Sequence, residues 1–295
     1  MFKTILLKDI STVEVSNFLH YAIAPRPICF ASTIDKKGNV NLSPFSFFNL
    51  FSTNPPVIIF SPARRVRDNT TKHTLQNILE VPEVVVNIVS YDMVQQVSLS
   101  SCEYPTGTDE FIKAGFTKEP SQMIAPPRVK ESPVQMECKV LEVKSLGEKG
   151  GAGNLVIAEI IMIHINEDIL GNDGKIDQQK LDLAARLGGN WYARVNATNT
   201  FEVKKPNMEQ GIGIDSLPAS IKSSKILTGN HLGQLANVHE LPFVEPSFED
   251  DKLKNIFQYY SIEPEEMEKE LHLHAADLLN EGKVNEAWQV LLALA

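Results

Sequence analysis

The sequence predicts a mainly-β domain of the barrel or sandwich kind, edged by short helices and followed by a helical C-terminal segment. Three observations carry this expectation. From about Ile28 to Ile165 the chain is a succession of short runs rich in Val, Ile and Phe, separated by turn residues. Strands do not alternate there with long helical patterns, which argues against βαβ units. After about Val195 the texture changes, and from 248 onward apolar residues recur at helical spacing.

The elements follow in order. "PICFASTI" and "NVNLS" flank Asp35-Lys36-Lys37-Gly38, a turn ending in Gly, and predict a β-hairpin. "PVIIFS" (56–61) and "EVVVNIVS" (83–90) predict the next strands. Between them, "TTKHTLQNILE" sets Leu75, Ile78 and Leu79 at helical spacing behind threonine caps. "YDMVQQVSLSS" (91–101) predicts a second short helix starting at Asp92. Two long strands, 132–146 and 153–166, are joined by "GEKGGAG" as a hairpin with a flexible tip. Residues 196–247, rich in Asn, Gly, Ser and Pro, predict an extended arm. Residues 248–295 predict helices, the last two broken at Gly282 like one tetratricopeptide unit. One such unit cannot bury its own apolar face, so the tail is expected to pack on the barrel or a partner subunit. The expected division is therefore 1–195, 196–247 and 248–295.

With 295 residues, 43% of them apolar, the chain can build a sizeable core. A net charge of −9 argues against a nucleic-acid partner, so any anion site must be a local basic cluster. "MFKTILLKDI" is interrupted by Lys3 and Lys8 and does not read as a signal peptide. No apolar run is long enough to span a bilayer, and a cytoplasmic location is the expectation. Cys29, Cys102 and Cys138 form no Cys-x-x-Cys pair, so buried, reduced thiols are expected rather than a zinc site. His272 and His274 read as solvated, and His164 as a sheet histidine rather than a base. "GEKGGAGN" and "GIGIDS" both lack the spacing of phosphate or dinucleotide fingerprints and read as turns.

Two segments carry chemistry. "SPARRVRDNTTKHT" (61–74) gathers Arg64, Arg65, Arg67 and Lys72 with three threonine hydroxyls beside a helix N-terminus, a combination suited to a phosphate monoester. The competing reading is a solvated basic loop. "RPICFASTI" with "NLSPFSFFN" offers proline-fixed backbone, the polar side chains of Ser43, Ser46 and Asn49, and the apolar walls of Phe45, Phe47 and Phe48. That is the chemistry a flat heteroaromatic ring requires, and the competing reading is a core corner.

The order of these parts resembles the flavin reductase-like family of the FMN-binding split barrel. The resemblance rests on Arg26-Pro27, Asn41 to Ser46, Pro55-Pro56 through Ser61, and Lys72-His73-Thr74 with Asn77-Ile78. It extends to Val84–Ser90, "TDEFIKAGFT" (108–117) and "ARLGGNWYARV" (185–195), and so covers residues 1–195. His73 stands where the family usually has Asp. The resemblance implies a Greek-key split β-barrel with peripheral helices, FMN as cofactor, and a homodimer. It implies that Thr33, Ser46, Phe47 and Asn49 lie along the isoalloxazine. Ser61, Arg64, Arg67, Thr70, Lys72 and Thr74 would surround the phosphate or its ribityl arm, while the role of Arg26 stays open among flavin, neighbouring subunit and nicotinamide. The implied function passes electrons from NADH or NADPH through FMN to a flavin or other small acceptor, with no protein side chain needed as acid or base. The alternative is a flavin-binding electron carrier or scaffold.

Overall fold

In the computed structural model, which describes residues 1–203, 206 and 210–293, the chain forms two compact units, Met1–Phe201 and Glu202–Ala295. Residues 204, 205 and 207–209 of the expected arm, and the last two of the expected helical tail, lie outside the described residues.

The first unit opens with a helix that the strand-dominated reading passed over, α1 (Thr12–Ala22). Its start is written in the sequence: Ser11 accepts from the Glu14 N–H, and the Glu14 carboxylate accepts from the Ser11 N–H, a reciprocal cap. None of its residues is buried. The strands β1 (Cys29–Ile34) and β2 (Val40–Phe45) form the expected hairpin, with the Asp35 carboxylate accepting from the Lys37 and Asn39 N–H groups. The Phe-rich segment, to which the sequence reading assigned no strand, contributes a third one, β3 (Phe48–Thr53), paired with β4 (Pro56–Phe60). Then come α2 (His73–Glu80), β5 (Glu83–Ile88), α3 (Val94–Leu99) and α4 (Glu110–Ala114). A short 3-10 turn, Tyr91–Met93, occupies the place where the second helix was expected to begin. Next are β6 (Lys118–Glu119), β7 (Arg128–Val129), β8 (Val134–Ser145), β9 (Asn154–Ile165), α5 (Gln178–Leu181), β10 (Ala184–Arg186) and β11 (Tyr192–Arg194).

Seven strands form one antiparallel sheet in the order β2-β1-β5-β8-β9-β4-β3. The edge strands β2 and β3 are consecutive in the chain, separated only by Ser46 and Phe47. A flat sheet of that width would hold its edges roughly 29 Å apart. Three peptide units span at most about 11 Å. The sheet must therefore roll into a barrel that stays split where the chain crosses from β2 to β3. Register shifts at Glu137/Cys138 and Val140/Glu142 add the local bend that closure needs.

Rolling buries β1 on both faces. Cys29 and Ala31 join Ile58, Phe60, Val84 and Val86 inside the barrel, while Ile28 and Phe30 face Val97, Phe111 and Phe116 of the outer cover. Asn87, fully buried, links the layers by donating to the Phe30 carbonyl and accepting from the Val129 N–H. His164 is the sheet histidine expected, 2.7 Å from the buried Glu137 carboxylate. The β8–β9 tip corrects the expectation of flexibility. Gly151 N–H donates to the Arg64 carbonyl, Arg64 N–H donates to the Ala152 carbonyl, and a Cβ on Gly150 would lie 2.9 Å from the Val66 oxygen. The glycines let two loops touch.

The second unit contains α6 (Ala219–Lys222), α7 (Gly229–Leu235), α8 (Asp251–Tyr259), α9 (Pro264–Asn280) and α10 (Val284–Leu292). Here the extended-arm reading is corrected. Leu217, Ile221, Leu227 and Leu235 sit in one core with Leu253, Leu271, Leu279 and the fully buried Trp288. The brief apolar patches of 212–236 supply the cover that a single helical hairpin lacks. His272 and His274 are buried, not solvated, and the His274 Nε2 lies 3.0 Å from the Asp250 carboxylate. Residues 202–295 hold 16 acidic and 8 basic residues, so nearly all of the chain's net charge of −9 belongs to this unit. The barrel unit is close to neutral, and its basic loop is not outweighed.

Among the described residues, no helix is long and apolar enough to cross a membrane.

Candidate functional site

The basic loop connects β4 to α2. Its residues divide between holding the loop and facing a ligand. The Arg64 guanidinium donates to the Asn69 side-chain oxygen at 2.8 Å and to the Asn69 carbonyl at 2.9 Å, in a turn where Asn69 has φ +58°. Arg65 donates to the Thr70 hydroxyl and the Thr71 carbonyl, both at 2.8 Å, and to Glu103 at 3.1 Å. Arg67, largely exposed, bridges Glu103 at 2.7 Å and Asp68 at 3.2 Å. Thr70 donates its hydroxyl and N–H to Asp68, which holds that carboxyl down to about 2. Arg64, Arg67 and Thr70 are thus committed to the loop's own network.

Lys72 is different. It is the N-cap residue of α2, with no side-chain cap there, so the expected threonine caps are absent. The Leu75 and Gln76 N–H groups bond back to the Lys72 carbonyl, which leaves those of His73 and Thr74 open at the positive end of the helix. The ammonium has neither a hydrogen bond nor an ion pair among the described residues. Burial, with Arg65 adding to it, pulls its pKa below the usual lysine value, and the same two causes act on His73. A half-buried cation that no carboxylate bonds among the described residues, with Glu103 acting on it only from a distance, beside open N–H donors is a place suited to an anion.

Around it lies a small cavity of 20 Å³ lined by Asn41, Ser43, Arg65, Lys72, Thr74 and Cys102, among others. Cys102 is exposed, against the expectation of a buried thiol, whereas Cys29 and Cys138 are buried. The Thr74 hydroxyl accepts from the Asn41 amide at 2.8 Å and keeps its own proton to give. Glu110, buried at the start of α4, accepts from the Leu42 N–H, and burial raises its pKa.

A larger cavity of 610 Å³ adjoins the small one: Ser101 lines both, Ser43 faces the small one and Pro44 the large. Its walls include Pro44, Phe45 and Ser46 from the end of β2, residues of α3, and the hairpin of β10 and β11. The volume lies within the range that holds a drug-sized ligand.

Of the remaining expected residues, Ser46 lines the large cavity, and its hydroxyl accepts from the Arg26 Nε at 3.4 Å. Arg26 itself is buried. It donates to the carbonyls of His20 and Ile23 at the end of α1, and of Leu187 at 2.9 Å, so its side chain ties local backbone together. Phe47 packs beside His20, ring centres 5.4 Å apart. Thr33, Asn49 and Ser61 line neither cavity. Thr33 is buried with its hydroxyl accepting from Asn77 of α2, and exposed Asn49 accepts from the next N–H in β3. The Ser61 hydroxyl is buried without a hydrogen-bond partner among the described residues, beneath Gly153, where a Cβ would lie 2.6 Å away.

Sequence reasoning missed the far wall of the large cavity: Tyr91, Arg186, Tyr192 and Arg194. The segment 185–195 was visible as a motif, but nothing in its spacing tells that it folds over β2. It does so because Arg26 and Arg186 exchange backbone hydrogen bonds at 2.9 and 2.8 Å.

Residues 21–180, more than half of the chain, match the family described as the flavin reductase like domain. An uncharacterised protein of Halalkalibacterium halodurans is 36% identical over 204 residues, covering 68% of this chain and 96% of that one. The structure of nitrilotriacetate monooxygenase component B from Bacillus cereus is similar with a TM-score of 0.64 and 29% identity, covering 69% of this chain and 99% of that one. A split-barrel-domain protein from Shewanella frigidimarina NCIMB 400 is similar with a TM-score of 0.57 and 25% identity, covering 67% and 96%.

Proposed function

The chain belongs to the flavin reductase-like family of split-barrel flavoproteins, and from that premise we propose that it is an FMN-dependent oxidoreductase that takes electrons from NADH or NADPH and passes them to a flavin or another small acceptor. The observation that carries this reading is the pairing of the Lys72 ammonium, which makes no hydrogen bond or ion pair among the described residues, with a cavity of 610 Å³ that adjoins its own small one, because FMN is a flat neutral ring joined to an anionic tail.

The residues present fit that molecule. Lys72, the Thr74 hydroxyl and the open N–H groups of His73 and Thr74 would hold the phosphate. Arg65 would join them once Glu103 releases it, while Arg64 and Arg67 shape and flank the loop. Ser46 and the backbone from Pro44 to Phe47 would run along the ring, with Arg26 fixing the Ser46 hydroxyl in place. Bound flavin would supply hydride acceptance and onward electron transfer. The protein's part would be to orient the ring, bind the tail and exclude water.

A second copy of the chain is the proposed cover for α1 and β3, where Phe18, Ile23, Leu50 and Phe51 are exposed. An electron carrier or scaffold is the second reading, favoured by the acidic helical unit as a surface for a basic partner. Anaerobic mixing of FMN-loaded protein with NADH and with NADPH separates the two. Loss of the yellow flavin absorbance within minutes with either nucleotide supports the reductase; absorbance that persists with both supports the carrier.

A further inference from the structure

We propose that the wall of the large cavity formed by β10 and β11 is a binding site for a planar aromatic carboxylate, seated on Arg186; this rests on the reading that the opposite wall, Pro44 to Ser46, faces the flavin ring. The charged residues lining the cavity are Arg186 and Arg194, and no carboxylate lines it. Arg194 is already neutralised: it donates to both Asp182 oxygens at 2.7 Å, with its guanidinium 3.9 Å from the centre of the Tyr91 ring. Arg186 has no acidic partner among the described residues. Its side chain makes one hydrogen bond, to the Gly189 carbonyl at 2.8 Å, and its guanidinium sits 4.4 Å from the Tyr192 ring centre. That cation–π contact and the single hydrogen bond hold the guanidinium in place and leave most of its N–H groups unpaired.

The neighbouring cation sharpens the point. Arg26 is buried, is paired to Arg186 backbone to backbone, and spends its guanidinium on carbonyls and a hydroxyl, never on a carboxylate. Two arginines held side by side without a counter-ion repel, and an arriving anion removes that repulsion. Ile28, Val94 and Val97 add apolar lining to the Tyr91 and Tyr192 rings, so the anion best accommodated is one that carries a flat apolar body.

The test is calorimetric titration of FMN-saturated protein with benzoate, with its neutral isostere benzamide, and with inorganic phosphate. Benzoate is expected to bind about tenfold more tightly than benzamide, the scale of one charge-assisted fork, and more tightly than phosphate. Arg186→Gln is expected to bring the benzoate-to-benzamide ratio close to one, and Arg186→Lys, which keeps the charge but loses the planar fork, to give a ratio between those of wild type and Arg186→Gln. Equal affinity for benzoate and benzamide, a ratio that survives Arg186→Gln, or phosphate binding as tightly as benzoate would each overturn the proposal. FMN affinity, measured separately, reports on the flavin reading. If FMN does not bind, the same titrations on the flavin-free protein still test the carboxylate site.

Discussion

The ring of Tyr21 packs directly on the backbone of Gly188: a Cβ on residue 188 would fall 2.3 Å from the ring. One residue earlier in the chain, the Leu187 carbonyl accepts from the Arg26 guanidinium at 2.9 Å. The end of α1 and the 186–192 loop are therefore one assembly, and that loop supplies Arg186, Asn190 and Tyr192 to the large cavity. A helix without a buried residue thereby braces the site.

Gly188→Ala is expected to cost about 1–3 kcal/mol, because the methyl must push the Tyr21 ring off the backbone it covers. Thermal unfolding measures this. Gly229→Ala, where a Cβ meets nothing within 4 Å, serves as the comparison and should leave the melting temperature unchanged or raise it.

Glu103 occupies the fork of Arg65 and Arg67 at 3.1 and 2.7 Å. A phosphate arriving at Lys72 must compete with that carboxylate for Arg65. Glu103→Gln keeps the shape and removes the charge, so FMN should bind up to several-fold more tightly, while riboflavin affinity stays constant. Flavin fluorescence quenching reads both.

The depressed pKa of Lys72 sets a pH dependence. Burial and Arg65 disfavour the charged ammonium, so the free protein gives up that proton below the ordinary lysine value of 10.5. Phosphate binds the charged form. FMN affinity should therefore fall as pH rises through this lowered pKa, earlier than an unperturbed lysine allows, and the riboflavin curve should lack that fall. Titration of both ligands from about pH 7 to about pH 10 checks the sign; FMN and riboflavin curves that run parallel would contradict it.

The barrel was legible because its strands announce themselves: "PICFASTI" and "EVVVNIVS" are β-branched runs between turn residues, and the Asp35–Gly38 turn closes its hairpin by local hydrogen bonds. Residues 48–53 were not, since a strand separated by only two residues from the end of another is not marked off in sequence until the rolled sheet brings its partner β4 alongside. The anion end was legible in Lys72 and Thr74, where charge, hydroxyl and helix start coincide in a few residues. Arg64, Arg67 and Thr70 looked equivalent in sequence, yet their partners Asn69, Asp68 and Glu103 decide otherwise, and Glu103 lies 36 residues from Arg67. The arm reading failed at 212–236 because short helices of four and seven residues carry little periodicity, and only packing against α8 and α9 reveals them.

The most direct test of a flavin held with its phosphate at Lys72 and its ring in the adjoining cavity is the affinity of wild-type, Lys72→Ala and Arg67→Ala protein for FMN and for riboflavin. Lys72→Ala should weaken FMN about 10- to 100-fold, the range of a lost charge-assisted contact, and leave riboflavin within about twofold. Arg67→Ala, exposed and already paired, should change FMN little. An equal loss of FMN and riboflavin in Lys72→Ala, or no loss of either, would contradict a phosphate held at the start of α2.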